Sequence, residues 1–329
     1  MKAAWYTQVG AARAVLTLGE LPDPQPAAGE VRVRLHASGI SPTDMYTRGG
    51  TRTKVLQFPR IIPHQDGAGV IDAVGAGVPQ SRLGERVLVY MAQWQRAEGT
   101  AAEYCSLPAR YAVPLPANCD FATGACQGVP WLTAHWSLRV DGPIAGQTVL
   151  VAGGTGAVGI YAVQLAKAWG ARVIATVGSA AKAATARAAG ADETIDFRSE
   201  DVGARVAALT GGEGVDRLLE VNMAANAALL PALVKKRGTV VVYGSGGPEA
   251  RIPLSWGIRM QPVIRFVYMY ELPGDEYDVA WADFTRLQSE GKLRHLPVRE
   301  FALDDIAAAH EAVEAGNSGT RMLVIPVRA

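Results

Sequence analysis

Three glycines, Gly154, Gly156 and Gly159, follow the spacing G-x-G-x-x-G directly after the β-branched run Thr148-Val149-Leu150-Val151-Ala152. Glycine at the first two positions lets a chain turn tightly and approach a pyrophosphate. At the third it lets the next helix pack closely on its strand, with the helix N-terminus aimed at the phosphates. Gly154, Thr155, Gly156, Ala157, Val158 and Gly159 are therefore expected to cradle a dinucleotide. The motif alone is weak in a chain with 36 glycines. The strand before it and the helical pattern after it supply the context it needs.

A second pair of residues bears on which dinucleotide. A free ribose 2′-hydroxyl usually meets an Asp or Glu about 20 residues past the first glycine. Here the next strand ends in Gly178-Ser179-Ala180-Ala181-Lys182, and no carboxylate occurs between the glycine loop and Asp192. A hydroxyl and a cation three residues apart suit a phosphate monoester, so the expected cofactor is NADPH. Ser179 also has the character of a helix N-cap with Lys182 on the first turn, a role compatible with phosphate binding.

These residues need a scaffold, and its pattern is legible. From about residue 122 strands and helices alternate, as in a parallel sheet wound on both faces. Strands are expected at 148–152, 172–177, 193–196, 215–221 and 239–243, with helices at 157–169, 180–189, 200–209 and 223–235. In the first helix Val158, Ala162, Leu165, Ala166 and Trp169 fall on one face, and Gly170 stops it. The apolar run 263–270 is a further strand at the sheet edge. The first third alternates differently: Val31, Val33 and Leu35 interleave with Arg32, Arg34 and His36, the period of a half-buried strand. Strands at 70–74 and 86–90, separated by Gly- and Pro-rich connections, make this a barrel-like β domain. Helices around 275–290 and 303–315 and a last strand, Met322–Val327, are expected to return to it. The fold class is α/β: a Rossmann domain over 123–270, and a β domain from 1–122 and 271–329.

Composition narrows the function further. A chain of 329 residues that is 49% apolar can bury two cores, and a net charge of +1 gives no reason to invoke nucleic acid or an anionic membrane. The start, Met1 to Gln8, lacks the apolar core of a signal peptide, and no run approaches the roughly 20 apolar residues that span a bilayer. Cys105, Cys119 and Cys126 are odd in number and form no C-x-x-C pair, so they read as reduced packing thiols. A soluble cytoplasmic location is expected.

The chain resembles the medium-chain dehydrogenase/reductase family, and within it the quinone oxidoreductases related to zeta-crystallin. Residues 39–50, Gly-Ile-Ser-Pro-Thr-Asp-Met-Tyr-Thr-Arg-Gly-Gly, are similar to the family's substrate loop. Pro63 to Val70 matches its proline, acidic and A-G-V segment, Gly128 to Ala134 the entry to its cofactor domain, and Gly153 to Lys182 its dinucleotide motif. The resemblance implies a GroES-like, barrel-like catalytic domain built from both chain ends. It also implies a Rossmann domain between them and a cleft for NADPH and substrate.

It bears on metal and site alike. The alcohol dehydrogenase branch holds a catalytic zinc with Cys, His and Cys, and those positions map to Ser41, Gln65 and Val129, which are not zinc ligands of the usual kind. No metal is expected; His64, beside the lost ligand, reads as a loop hydrogen-bonding residue. The resemblance carries the 2′-phosphate roles onto Ser179 and Lys182, with Phe197, next to Arg198, at the family's aromatic position. It places Tyr46 as a donor near the substrate carbonyl or nicotinamide; a strand-end aromatic in water is the plain alternative. Ser41 falls where the quinone reductases have Asn, Thr133 by the nicotinamide ribose, and Tyr243, Gly244 and Ser245 along the cofactor path. Asp44 reads as a loop-fixing acceptor and His135 as packing. Trp94, Trp131, Trp256 and Tyr268 offer stacking surface or core.

The expected activity is zinc-independent reduction of a quinone by NADPH, a hydride passing from nicotinamide C4. Reduction of an unsaturated carbonyl, an alkenal or enone, is the sibling reading. A non-enzymatic NADPH-binding role is the reading from another class, and the balanced charge speaks against an RNA-binding version. The loop 45–60, with Arg48, Arg52, Lys54 and Arg60, is either solvated or selective for anions. Strand 263–270 is a bare apolar edge unless it pairs with its twin across a two-fold axis, so a homodimer is expected.

Overall fold

The structure, a computed structural model, describes residues 1–51, 53–316 and 319–326. Arg52 of the basic loop and Val327 of the expected last strand lie outside it. The chain divides into two compact units, Met1–Val129 with Trp281–Ala329, and Pro130–Ala280.

The second unit is a six-stranded parallel sheet. Its strands run in the order Glu193–Asp196, Arg172–Val177, Thr148–Val151, Val215–Glu220, Val234–Val242, Val263–Phe266. The winding reverses between Thr148–Val151 and Val215–Glu220. That is the switch point at which doubly wound sheets leave a crevice beyond the strand carboxyl ends. The helix Gly159–Ala168 lies close in, with every residue from Gly159 to Ala166 buried. Its expected apolar stripe thus widens into about two fully buried turns, as small side chains such as Ala162 and Ala166 permit. Gly170, at φ +81°, stops it as expected.

Two expected elements differ. The helix over 223–235 breaks into Met223–Asn226, a 3-10 turn at Ala227–Leu229 and Leu230–Leu233. Pro231 has no N–H to continue a helix but fits a first turn, so the helix restarts there. The next strand consequently begins at Val234, five residues earlier than expected, and absorbs a left-handed kink at Arg237 (φ +61°). The edge strand covers only Val263–Phe266, because its neighbour ends at Val242, opposite Phe266. Beyond it Met269 and Tyr270 turn into the core through a 3-10 turn.

The first unit is a curved sheet ordered Val298–Ala302, Arg321–Ile325, Glu30–Gly39, Asp66–Val74, Arg86–Val89, Ala112–Pro114, with Tyr104–Pro108 also paired to Glu30–Gly39. Register shifts at Arg32/Val33 and Leu35/Ala37 bend the central pair, the usual device for rolling a sheet. The alternation holds: Val31, Val33 and Leu35 are buried with Ile71, Val87, Val89, Cys105 and Leu107, while Arg32 turns outward to a two-pronged pair with Asp72.

Candidate active site

The glycine loop is built from backbone. Thr148–Val151 ends in Gly153, whose φ of +66° makes the turn, a task the motif spacing assigned to Gly154 and Gly156. Gly154 has another reason to be glycine: a Cβ there would come within 2.6 Å of the Ala175 Cβ on the neighbouring strand. A side chain at Gly159 would collide with the Gly153 carbonyl, so the third glycine closes the helix onto the loop itself. Thr176 ties the loop down, its hydroxyl accepting from Gly153 N (3.0 Å) and its carbonyl from Gly154 N (2.9 Å). Among the described residues no acceptor takes the amides of Thr155, Ala157 and Val158. They stand at the N-terminus of Gly159–Ala168, donors of the kind a pyrophosphate satisfies.

The neighbouring strand ends hold the other cofactor candidates. Ser179 caps the helix Ala180–Ala188, accepting from Lys182 N at 3.3 Å, so the capping reading stands and Lys182 sits half-buried on the first turn. A Cβ at Gly178 would meet Phe197 Cζ at 3.1 Å and Arg198 Nε at 3.3 Å. One corner therefore gathers Ser179, the exposed Phe197 ring and the Arg198 guanidinium, and no carboxylate ends this strand. Such a set fits a 2′-phosphate. Across the switch point, Gly153 lies beside Val221, Gly244 packs on the Val221 backbone, and Tyr243 donates to the Ala152 carbonyl at 3.5 Å. Ser245 is exposed, and Thr133 is buried on the helix Gly128–Arg139. Glu220, which the sequence reading missed, is buried here and accepts from Asn222 N (2.5 Å) and Asn226 Nδ2 (2.9 Å). Burial raises its pKa. An acid ending an apolar strand was its only signal.

The first unit holds the other half of the candidate set. Ser41 caps the short helix Pro42–Arg48, where Tyr46 lies, 43% exposed, rather than at a strand end. Asp44 is the expected loop acceptor: its buried carboxyl takes Ser41 N at 2.7 Å and also the amide of Gln65. Asp66 accepts from Val129 N at 2.9 Å. Burial raises Asp44 to about 8 and Asp66 to about 7. Two carboxyls thus brace the three positions 41, 65 and 129. Arg321 reaches them from the far end of the chain, donating to the Ile40 carbonyl (3.2 Å) and to Ser41 Oγ (3.5 Å).

This corner does not fit a catalytic zinc. Ser41 faces a guanidinium, Gln65 is bonded to Gln93 (3.0 Å), Val129 has no donor atom, and an adjacent Arg321 opposes a dication. His64 is spent on structure. Its Nδ1 meets Ser38 Oγ at 2.7 Å and its Nε2 meets His310 Nε2 at 2.9 Å, at a backbone φ of +79°. Burial lowers both imidazoles, His64 to about 3, so the pair is neutral. Among the described residues no group of three His, Cys, Asp or Glu forms a ligand set.

Other candidates resolve simply. Arg48 is buried and pairs with Glu314 and the Gly10 carbonyl, so it is not part of an anion-selective loop. His135 packs between Trp131 and Trp169, and Trp256 is core. The three cysteines are buried free thiols.

Two family models match the chain, "Alcohol dehydrogenase GroES-like domain" over residues 27–117 and "Zinc-binding dehydrogenase" over 157–284. The chain is 32% identical to quinone oxidoreductase 1 of Escherichia coli K12, over 95% of this chain and 96% of that one. It belongs to the medium-chain dehydrogenase/reductase superfamily. Within that superfamily it falls in the zinc-free, quinone oxidoreductase-like family and is an oxidoreductase. Solved relatives agree on the fold. An NAD-dependent alcohol dehydrogenase superposes with TM-score 0.89 at 30% identity, each chain 99% covered. Escherichia coli quinone oxidoreductase complexed with NADPH gives 0.86 at 26% identity, over 99% of this chain and all of the other. A nicotinamide dinucleotide is the cofactor type of this family, and the glycine loop has the shape to hold one.

Proposed function

We propose that this medium-chain reductase uses NADPH to reduce quinones without a metal. The observation that carries the reading is the corner at 41, 65 and 129. Where the zinc branch binds its Lewis acid, this chain has a hydroxyl, an amide, a valine and a guanidinium. Without a metal to activate an alcohol, the substrate must already be electrophilic. A quinone is, and its reduced form is acidic enough to need no strong general acid. NADPH bound along the carboxyl edge of the parallel sheet supplies the hydride. Thr155, Ala157 and Val158 would hold the pyrophosphate, and Ser179, Lys182 and Arg198 the 2′-phosphate with Phe197 against the adenosine. Tyr243, Gly244 and Ser245 would line the path, and Thr133 would contact the nicotinamide ribose. Tyr46 would donate to the developing oxyanion, and Ser41 would contact the cofactor.

The test is NADPH oxidation followed at 340 nm across 1,4-benzoquinone, 9,10-phenanthrenequinone and a set of alkenals and enones. Turnover of the quinones is expected. Turnover confined to the alkenals and enones would assign the chain to C=C reduction, and none on any would refute the enzyme reading in this form.

The protein is further proposed to act as a cytoplasmic homodimer. No helix among the described residues is long and apolar enough to cross a membrane. Leu254 and Ile258, one turn apart on the helix Leu254–Met260, and Phe266 on the edge strand are all more than 75% exposed. An uncovered strand edge with such neighbours favours pairing with its twin. Arg265 is committed to Asp141 at 2.8 Å, so the informative variant is Ile258→Asp with Phe266→Asp. It should run as a monomer in light scattering; an unchanged dimer would place the interface elsewhere.

A further inference from the structure

Trp94, Trp131, Trp256 and Tyr268 are the aromatic candidates for stacking, and the fold leaves one of them open. Trp131 and Trp256 are core and Trp94 is half-buried, whereas Tyr268 is 42% exposed. Tyr268 stands two residues past the strand Val263–Phe266, on the carboxyl edge of the parallel sheet. Val267 N donates to the Val242 carbonyl at 2.9 Å, so this strand and its neighbour leave the sheet side by side. The neighbour runs on into Tyr243, Gly244 and Ser245, and Gly244 packs on the Val221 backbone at the switch point. Doubly wound sheets bind their ligands beyond this edge.

The exposed ring is mounted on buried neighbours. It lies against Tyr270, centroids 5.2 Å apart and planes tilted by 56°, and Tyr270 is itself buried. The backbone turns inward directly after it, Glu271 N donating to the Tyr268 carbonyl at 3.1 Å in a 3-10 turn. Tyr277 Oη locks that turn, donating to the Met269 carbonyl (2.9 Å) and accepting from Leu272 N (3.1 Å). Met269 and Tyr270 supply the burial in this segment, so the core does not need the Tyr268 ring. An open ring held in place loses little freedom when a second ring stacks on it.

We propose that Tyr268 is a stacking platform for the substrate, selecting fused-ring aromatic quinones over single-ring ones. This rests on the quinone-reductase reading and names its substrate class. Stacking strengthens with the area of ring overlapped, so three fused rings gain more than one. The ring face acts and the hydroxyl does not, which separates this role from the donor role of Tyr46.

The test compares kcat/KM for 9,10-phenanthrenequinone and 1,4-benzoquinone, with NADPH at 340 nm, in wild type, Tyr268→Leu and Tyr268→Phe. The leucine variant should lose about fivefold of the preference for phenanthrenequinone, through KM, the scale of one aromatic pair. The phenylalanine variant should keep that preference, which sets the ring apart from the hydroxyl. A preference unchanged in Tyr268→Leu, or lost equally in Tyr268→Phe, overturns the inference. So does a shift of Tyr268→Leu to a smaller species in light scattering, which would place the ring in an interface between copies. If neither quinone is reduced, the quinone-reductase reading fails separately. Calorimetric binding of phenanthrenequinone to the NADP+-loaded proteins then decides the inference. About fivefold weaker binding by Tyr268→Leu alone supports the platform, and equal binding by all three proteins refutes it.

Discussion

The glycine-rich edge of the parallel sheet and the polar corner around Ser41, Gln65 and Val129 are candidate functional regions built on opposite principles. The first is made of backbone. Its shape comes from Gly153, Gly154 and Gly159, its unspent groups are the amides of Thr155, Ala157 and Val158, and its side chains are small or exposed. The second is made of buried side chains that hold one another: Asp44 on two amides, Asp66 on a third, Arg321 on Ser41, Gln65 on Gln93. A backbone site tolerates side-chain change and fails when a Cβ intrudes. A side-chain site fails when any partner is lost or titrates.

The largest effect is expected from Gly159→Val, which drives a β-branched side chain into the Gly153 carbonyl. NADPH affinity should fall more than 100-fold, read by quenching of tryptophan fluorescence; retained binding would mean the loop is not the pyrophosphate site. Next in size is Lys182→Glu, which places a carboxylate where the 2′-phosphate is proposed. The KM for NADPH should rise tenfold or more and that for NADH change little, since a charge-assisted contact contributes about 1.5–3 kcal/mol. A similar loss for both cofactors would remove Lys182 from the phosphate site.

The polar corner responds to pH instead. His64 and His310 are held neutral, so they contribute stability above the ordinary histidine pKa of 6.5 that is lost as pH falls, for His64 toward about 3. Asp44 and Asp66 are held protonated. Their contribution is full below the ordinary 3.8 and lost as pH rises through about 7 and 8. Between these limits the two pairs oppose each other, so the melting temperature should be nearly level from about pH 4 to 6.5 and fall on either side. Asp66→Asn should weaken the alkaline fall and leave the acid one, by calorimetry. An alkaline fall unchanged in that variant would show that Asp66 ionises freely.

The same division governs what the sequence reveals. Glycine spacing and strand–helix alternation are local, so the glycine turn was legible along with the strands 172–177 and 193–196. Gly153 escaped because the motif spacing carries no information about which glycine has positive φ. Pro231 was visible within 223–235, but apolar periodicity masked it. In the polar corner Asp44 was legible as a loop-fixing acceptor and His64 as a hydrogen-bonding residue, but the His64 partners were not. Arg321 lies 280 residues from Ser41 and His310 246 from His64, separations at which no local pattern reports a contact. Gln65 could be read as a lost zinc ligand, but its pairing with Gln93 could not.

In the proposed reaction hydride passes to a quinone with no metal at the corner that binds zinc elsewhere in the superfamily. The most direct test is the rate of NADPH oxidation with 1,4-benzoquinone after exhaustive treatment with 1,10-phenanthroline and EDTA. The rate should be unchanged by the chelators and by zinc added back. Activity lost on chelation and restored by zinc would contradict the account.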